Sequence, residues 1–161
     1  PLGKLGEKIG IPADSFRAHI SNYQEDFGAH KMYETEAGQF LNLFSANDPQ
    51  STRKLLDQFF GDTSHVALLY NNRTDRPERL LLFLRYFFPV VPCKQIIVMG
   101  EARSLALRLL KKHGFTNVTE ASNWQDAVRI SNGAPIVGIG NIPLLVVDKR
   151  CGLCVDDISG T

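Results

Sequence analysis

The chain has 161 residues, of which 43% are hydrophobic and 22% charged, and this suits one soluble domain with a full hydrophobic core. Eighteen Lys and Arg against 17 Asp and Glu leave a formal net charge of +1, which argues against a general nucleic-acid binder. No apolar run approaches the ~20 residues that span a bilayer, no signal-peptide pattern is present, and three Cys make no disulfide framework. We therefore expect a soluble intracellular α/β domain.

An amphipathic helix is predicted near the N-terminus, where Pro12 opens it and Gly28 ends it. Its apolar residues recur at helical spacing and share one face, namely Phe16, Ile20, Tyr23 and Phe27. We expect this helix to lie against the main domain or against a neighbouring one.

Strands and helices are predicted to alternate after this helix. Short apolar segments predict strands at residues 40–44, 66–70, 95–99, 117–119 and 135–139. The helices between them begin near Ser51, Pro77, Ala102 and Trp124. Residues 144–147 are a candidate sixth strand, before a polar tail from Arg150. This alternation predicts an α/β fold with a Rossmann-like, doubly wound and mostly parallel sheet of five or six strands, covered by helices on both faces.

Ligands of such sheets bind beyond the carboxyl ends of the strands. This rule selects the loops at residues 45–52, 71–76, 100–103 and 138–141. The first of these loops leads into a helix N-terminus, which attracts anions through its exposed N–H groups. Capping of that helix by Asp48 or Ser51 explains the same residues equally well.

The loop that follows the second strand carries three arginines and two acids within residues 71–79. Because a guanidinium binds a carboxylate or phosphate through two parallel hydrogen bonds, Arg73 and Arg76 are candidates for holding an anionic substrate. A solvated, self-paired charge cluster is the alternative.

Two further features are glycine-based or cysteine-based. Gly138 and Gly140 allow a ligand to approach the backbone closely, although a plain turn explains them as well. Cys151 and Cys154 are only two of the four ligands that a structural zinc site needs, so we predict no metal site. A phosphate-binding G-x-x-x-x-G-K-[ST] loop is also missing from the sequence.

Taken together, the loops resemble the C-terminal domain of Mur-type amide ligases, in the poly-γ-glutamate synthase (PgsB/CapB) branch. The resemblance runs from about Gly10 to Ile142 and is most specific at Phe40–Thr52, Tyr70–Arg76, Met99–Glu101 and Gly138–Ile142. It implies that residues 1–38 are an N-terminal helix and linker, the end of a missing central domain. Residues 39–161 are then the Rossmann-like C-terminal domain.

The resemblance also implies an activity. In this family a central domain holds ATP and Mg²⁺, a carboxylate is phosphorylated to an acyl phosphate, and an incoming amine displaces phosphate to form an amide. In this branch the reactants are glutamate and the growing poly-γ-glutamate chain, a polymer used in capsules. The full enzyme is expected in the cytoplasm at the inner face of the cell membrane, with membrane-bound synthase subunits as further partners and no nucleic acid.

The resemblance assigns residue roles by position. Among the substrate contacts it places Asn72, Arg73 and Arg76, in a loop that binds the incoming amino acid or the nucleotide phosphates. It also places there Gly138, Gly140 and Asn141, in the glycine loop that lines the amino-acid pocket. On the nucleotide side we place Asn42, Asn47 and Ser51. No catalytic residue and no metal ligand are expected in this chain, because the P-loop and the magnesium-binding carboxylates belong to the central domain.

The chain departs from the family pattern after Pro143, so residues 143–161, with Cys151 and Cys154, receive no role. We expect the isolated chain to be inactive as a ligase. One alternative is a stand-alone Rossmann-like module that binds a nucleotide or phosphate without catalysis. Another is a structural assembly domain that buries the apolar face of the N-terminal helix against a second chain.

Overall fold

The computed structural model describes residues 30–35, 38–46 and 48–142. Six strands in this part of the chain form one sheet: β1 (Lys31–Thr35), β2 (Gly38–Asn42), β3 (Ala67–Asn71), β4 (Gln95–Met99), β5 (Val118–Glu120) and β6 (Ile136–Gly140). The helices between them are α1 (Pro49–Phe59), α2 (Pro77–Tyr86), α3 (Arg103–Lys112) and α4 (Trp124–Ser131).

The sheet has the strand order β1-β2-β6-β3-β4-β5. All neighbouring pairs from β2 to β5 are parallel, whereas β1 pairs with β2 in antiparallel orientation. The last strand of the described part, β6, therefore lies between the first two parallel ones. The predicted α/β, Rossmann-like and mostly parallel sheet of five or six strands is confirmed.

Alternate residues of each strand face opposite sides of the sheet, and both sides are buried. In β3, Leu68 and Tyr70 pack in the core that α1, α2 and α3 cover. Ala67 and Leu69 pack in a second, smaller core beneath α4. The helices thus cover both faces unequally, because three successive crossovers run one way along the sheet and the long return to β6 runs the other way.

The edge strand β1 is a structure that the sequence analysis did not predict. It pairs with β2 over its full length, from Lys31 opposite Asn42 to Thr35 opposite Gly38. Its residues are exposed or half-buried, so the strand shows no apolar run. The expected boundary between residues 38 and 39 falls inside β2, after its first residue, and it stays a prediction.

Two of the four described helices, α1 and α4, begin after a residue whose side chain caps them. Asp48 caps α1 by accepting a hydrogen bond from the Ser51 backbone N–H at 2.8 Å, so this helix begins at Pro49, two residues before the predicted start. Asn123 caps α4 in the same way. The predicted helix at residues 12–28, the candidate strand at 144–147 and the polar tail all lie outside the described residues.

Candidate functional site

The carboxyl ends of the parallel strands meet at one edge of the sheet. Register pairs Asn42 with Gly138, Asn71 with Gly140 and Asn71 with Met99, so the loops after β2, β6, β3 and β4 are neighbours there. The four loops that the sequence predicts as ligand-binding are therefore adjacent. Asn47, in the loop after β2, lies outside the described residues.

Paired asparagine side chains join the ends of β3 and β6. The Asn71 side-chain amide donates to the Asn141 carbonyl oxygen at 3.0 Å, and the Asn141 side-chain amide donates to the Asn71 carbonyl oxygen at 3.2 Å. The Asn141 backbone N–H also donates to the Asn71 carbonyl oxygen at 3.1 Å. Both residues are almost fully buried, so these bonds replace the water that the amide groups lose.

Asn72 joins the same edge to the loop after β4. Its side-chain amide donates to the Ala102 carbonyl oxygen at 2.8 Å, and its backbone N–H donates to the Met99 carbonyl oxygen at 2.9 Å. Gly100, at φ +94°, makes this approach possible because a Cβ there would lie 2.4 Å from the Asn72 carbonyl oxygen.

Unpartnered buried polar atoms gather at this edge. Within the described part of the chain, the buried side-chain atoms without a hydrogen bond are Tyr70 Oη, Asn72 Oδ1, Asn141 Oδ1 and Arg103 Nε. The amide groups of Asn72 and Asn141 are held by carbonyl oxygens, which only accept, so it is the oxygen of each amide that is left without a donor. A buried polar group without a partner calls for an explanation, and a bound water molecule, ion or ligand at the ends of these strands is one.

The three arginines of the loop after β3 have different environments. Arg73 donates through Nε and Nη2 to both carboxylate oxygens of Asp75 at 2.9 and 2.8 Å, and this pairing lowers the pKa of Asp75. Arg76 is exposed at the start of α2. Arg79 is only 9% exposed and donates to the Gly140 carbonyl oxygen at 3.2 Å. The self-paired alternative therefore describes Arg73 but neither of the other two.

Glycines at the end of β6 are required by close packing. A Cβ at Gly138 would lie 2.4 Å from the Phe44 ring. Gly140 has φ +92°, and a Cβ there would lie 2.7 Å from Cε2 of Tyr70 and 2.9 Å from the Asn71 carbonyl oxygen. Both positions bring the backbone against a neighbouring side chain, so packing already accounts for these glycines.

The described residues predicted to contact the nucleotide lie on different elements, β2 and α1. Asn42 is buried at the end of β2, where its side-chain oxygen accepts from the Phe44 backbone N–H at 3.2 Å. Ser51 is exposed in the first turn of α1, where its backbone N–H is bound by Asp48. The capping explanation therefore holds for Asp48, and a nucleotide contact of Asn42 or Ser51 stays a prediction.

The sequence analysis gave no individual role to Asn71, Tyr70, Gly100 or Arg79, although the first and third of these lie in loops that it selected. For Arg79 a signal was present, because it precedes Leu80, Phe83 and Leu84 at the spacing of a buried helix face. Among the described residues no group of three or more His, Cys, Asp and Glu side chains could hold a metal ion. No helix in the described ranges is long and apolar enough to cross a membrane.

The sequence of this chain is similar to that of known proteins. Residues 29–145 match the sequence model of the poly-gamma-glutamate synthase CapB C-terminal domain. The chain is 26% identical over 154 residues to the capsule biosynthesis protein CapB of Bacillus anthracis, covering 86% of this chain and 33% of that protein. It is 27% identical over 104 residues to the PGA synthase CapB of Bacillus subtilis (strain 168), covering 60% of this chain and 26% of that protein.

A solved structure shares the fold. The crystal structure of folylpolyglutamate synthase from Thermotoga maritima superposes with a TM-score of 0.60 at 21% identity, covering 86% of this chain and 33% of that one. The chain spans about a third or less of the length of these relatives. Since the family model covers most of the chain, this protein belongs to the family of the poly-γ-glutamate synthase CapB C-terminal domain.

Proposed function

We propose that this chain is the substrate-binding and closing domain of an ATP-dependent, ADP-forming amide ligase that polymerises glutamate into poly-γ-glutamate for a capsule. One observation carries the proposal. Cationic and amide side chains that suit a carboxylate-bearing amino acid lie at a single edge of the sheet, after β3 and β6, where Asn71 pairs with Gly140. Family membership and the synthase names of the relatives support the reaction class.

We assign the substrate contacts to Asn72, Arg76, Gly140 and Asn141, with Gly138 shaping the wall beside them. Arg73 joins them when its guanidinium leaves Asp75, a change that costs little because both side chains are about half exposed. Asn42, Asn47 and Ser51 keep their proposed place near the nucleotide. Glutamate and the growing polymer are the proposed ligands of this edge.

ATP and Mg²⁺ are the cofactors that this reaction class implies. The exposed guanidinium of Arg76 at the N-terminus of α2 fits a phosphate group. The described residues offer no cluster of carboxylates that fits Mg²⁺, so we assign the metal to the ATP-binding portion of the enzyme. ATP supplies the phosphoryl group that activates a carboxylate. This chain's own residues would then hold and orient the amine that attacks it.

We infer that the complete enzyme works in the cytoplasm at the inner face of the membrane, together with membrane-bound synthase subunits. The short share of each relative that the chain covers supports a separate ATP-binding portion. An in-frame G-K-S/T loop upstream of the coding sequence would identify that portion directly.

The test is glutamate-dependent ADP release by this chain supplied with that ATP-binding portion. We expect release with both parts together, none from the chain alone, and a raised KM for glutamate when Arg76→Ala is introduced. Arg129→Ala is the matched control, since Arg129 is an exposed arginine on α4 that pairs with Asp126. ADP release that ignores glutamate would contradict the proposal.

Calorimetry separates the ligase from a stand-alone nucleotide-binding module. The ligase proposal predicts weak or undetectable binding of ATP to the isolated chain, because most of the nucleotide contacts belong to the other portion. Tight binding of ATP or ADP by the chain alone would favour the module instead.

A further inference from the structure

Arg79 is the only charged side chain among the buried residues of the described part of the chain. It lies in the first turn of α2, facing the end of β6. Burying a guanidinium is costly unless a counter-charge or hydrogen bonds replace its water. Arg79 has one such bond, from Nη1 to the Gly140 carbonyl oxygen at 3.2 Å.

No carboxylate of the described residues pairs with Arg79. The acid of the loop before α2, Asp75, accepts two hydrogen bonds from the Arg73 guanidinium. Glu78 is exposed in the first turn of α2 and forms no ion pair with Arg79. Within the described ranges the buried guanidinium therefore has no ion-pair partner, although the charge of the Glu78 carboxylate acts to raise its pKa.

The N-terminus of α2 adds to the positive charge around Arg79. The N-cap residue, Arg76, makes no side-chain capping bond, whereas Asp48 and Asn123 cap α1 and α4. The N-terminal end of a helix carries a partial positive charge that disfavours a nearby cation and attracts an anion. Burial and the neighbouring charge of Arg76 together lower the pKa of Arg79.

A second buried group at the same place lacks a partner. Tyr70 is fully buried and its hydroxyl has no hydrogen bond, while its ring lies against the Gly140 backbone, whose oxygen Arg79 binds. A phenol hydroxyl can donate, so within the described residues one buried donor without an acceptor lies beside the Gly140 turn that Arg79 binds.

We propose that Arg79, assisted by the Tyr70 hydroxyl and the N-terminus of α2, is the anchor for an oxyanion at this edge of the sheet. The oxyanion is a carboxylate of glutamate or a phosphate group, since both present the same charged oxygens. Identifying it with a reactant rests on the proposed function, whereas the anion site itself does not. Arg73, already paired with Asp75, plays the smaller part.

Solution NMR of the full ¹⁵N-labelled chain tests the site directly. The backbone amides of Gly140 and Asn141 and the Nε–H of Arg79 are followed while sodium glutamate or sodium phosphate is added at constant ionic strength. Sodium chloride provides the reference. We expect saturable shifts with at least one of the two oxyanions and none with chloride. Shifts with glutamate alone, or with phosphate alone, identify which source fits the site.

Variants then assign the binding to named groups. Arg79→Gln removes the charge, and we expect the affinity to fall about tenfold or more, because hydrogen bonds to charged groups are strong. Arg79→Lys keeps the charge but cannot form the two parallel hydrogen bonds of a guanidinium, so we expect a smaller loss of oxyanion affinity. Arg129→Gln removes an equal charge on α4, outside the site, and should leave the affinity unchanged.

Tyr70→Phe is a second test of the site, in case the Arg79 variants do not fold. It deletes a hydroxyl that has no partner, so the unfolding midpoint should hold or rise while the oxyanion affinity falls. Absence of shifts in the wild-type chain, or full affinity in a folded Arg79→Gln, would overturn the anchor. Either result leaves the ligase proposal standing, because that proposal is decided by ADP release.

Discussion

Asn71 and Asn141 lie 70 residues apart in sequence and bind each other through two side-chain-to-backbone hydrogen bonds of 3.0 and 3.2 Å. The pair fixes the end of β6 against the end of β3. Because Arg79 binds the carbonyl oxygen of Gly140, immediately before Asn141, the asparagine pair and the buried arginine hold the same turn from two sides. Both sets of hydrogen bonds therefore stabilise the turn that carries Gly140 and Asn141.

Asn141→Asp should destabilise the protein by about 2 kcal/mol at neutral pH. The substitution keeps the size of the side chain but replaces the donor that faces the Asn71 carbonyl oxygen with a carboxylate oxygen. Urea denaturation measures the change. Asn117→Asp is the matched control, since Asn117 also donates to backbone carbonyl oxygens but is exposed, so its loss should be smaller. Equal losses at the two sites would contradict the role of the buried pair.

Gly140→Ala and Gly114→Ala form a matched pair for the close approach at β6. Both glycines have a positive φ, +92° and +91°, but a Cβ at Gly114 meets nothing within 4 Å. We expect about 1–2 kcal/mol of backbone strain at each site. Contact with Tyr70 and the Asn71 carbonyl oxygen should add about 1–3 kcal/mol at Gly140 alone. Thermal unfolding measures the stability of both variants. An equal loss of stability in the two would contradict the close contact at Gly140.

Asp48 should contribute a pH-dependent part of the stability. Hydrogen bonds from Ser51 lower the pKa of its carboxyl below its ordinary range. A carboxyl with a lowered folded pKa stabilises the fold above its unfolded pKa, and this contribution is lost as the pH falls through the folded pKa. Asp48→Asn keeps the cap without the titration, so its stability should depend less on pH below about 4. Asp48→Ala should cost about 1 kcal/mol at neutral pH.

Asp75→Asn and Arg73→Ala test whether the guanidinium of Arg73 serves the substrate. The pair is exposed, so we expect the unfolding midpoint to change little in either variant. If Arg73 binds a carboxylate in the ligase reaction, Asp75→Asn should lower the KM for glutamate and Arg73→Ala should raise it, with kcat nearly unchanged. An unchanged KM in both variants would confine Arg73 to a surface ion pair.

Local patterns predicted most of the regular structure. The strand Gln95–Met99 has the predicted bounds, because a continuous apolar segment between a polar loop and a glycine is typical of a buried parallel strand. The edge strand β1 was missed because its residues are exposed or only half-buried. Its Tyr33 ring stacks on Phe40, with 6.1 Å between the ring centroids. An edge strand needs no apolar run, so its pairing partner decides its conformation.

The arginines show where prediction at the site stopped. Arg73 and Arg76 attract attention in the sequence because they stand in a loop, and the structure shows one paired with Asp75 and the other exposed. Arg79, inside a helix, is the one that reaches the end of β6. Which charge is buried depends on how α2 lies against the sheet, a relation between residues far apart in sequence.

The sequence by itself determined the alternation of strands and helices, the parallel sheet and the edge at which its loops gather, since these follow from short-range periodicity and from the direction of parallel strands. Only the tertiary structure decided that β6 inserts between β2 and β3. That insertion brings Asn141 to Asn71 and Gly140 to Arg79, contacts that span 70 and 61 residues. Hydrogen bonds over such separations depend on the packing of the whole sheet and leave no local pattern.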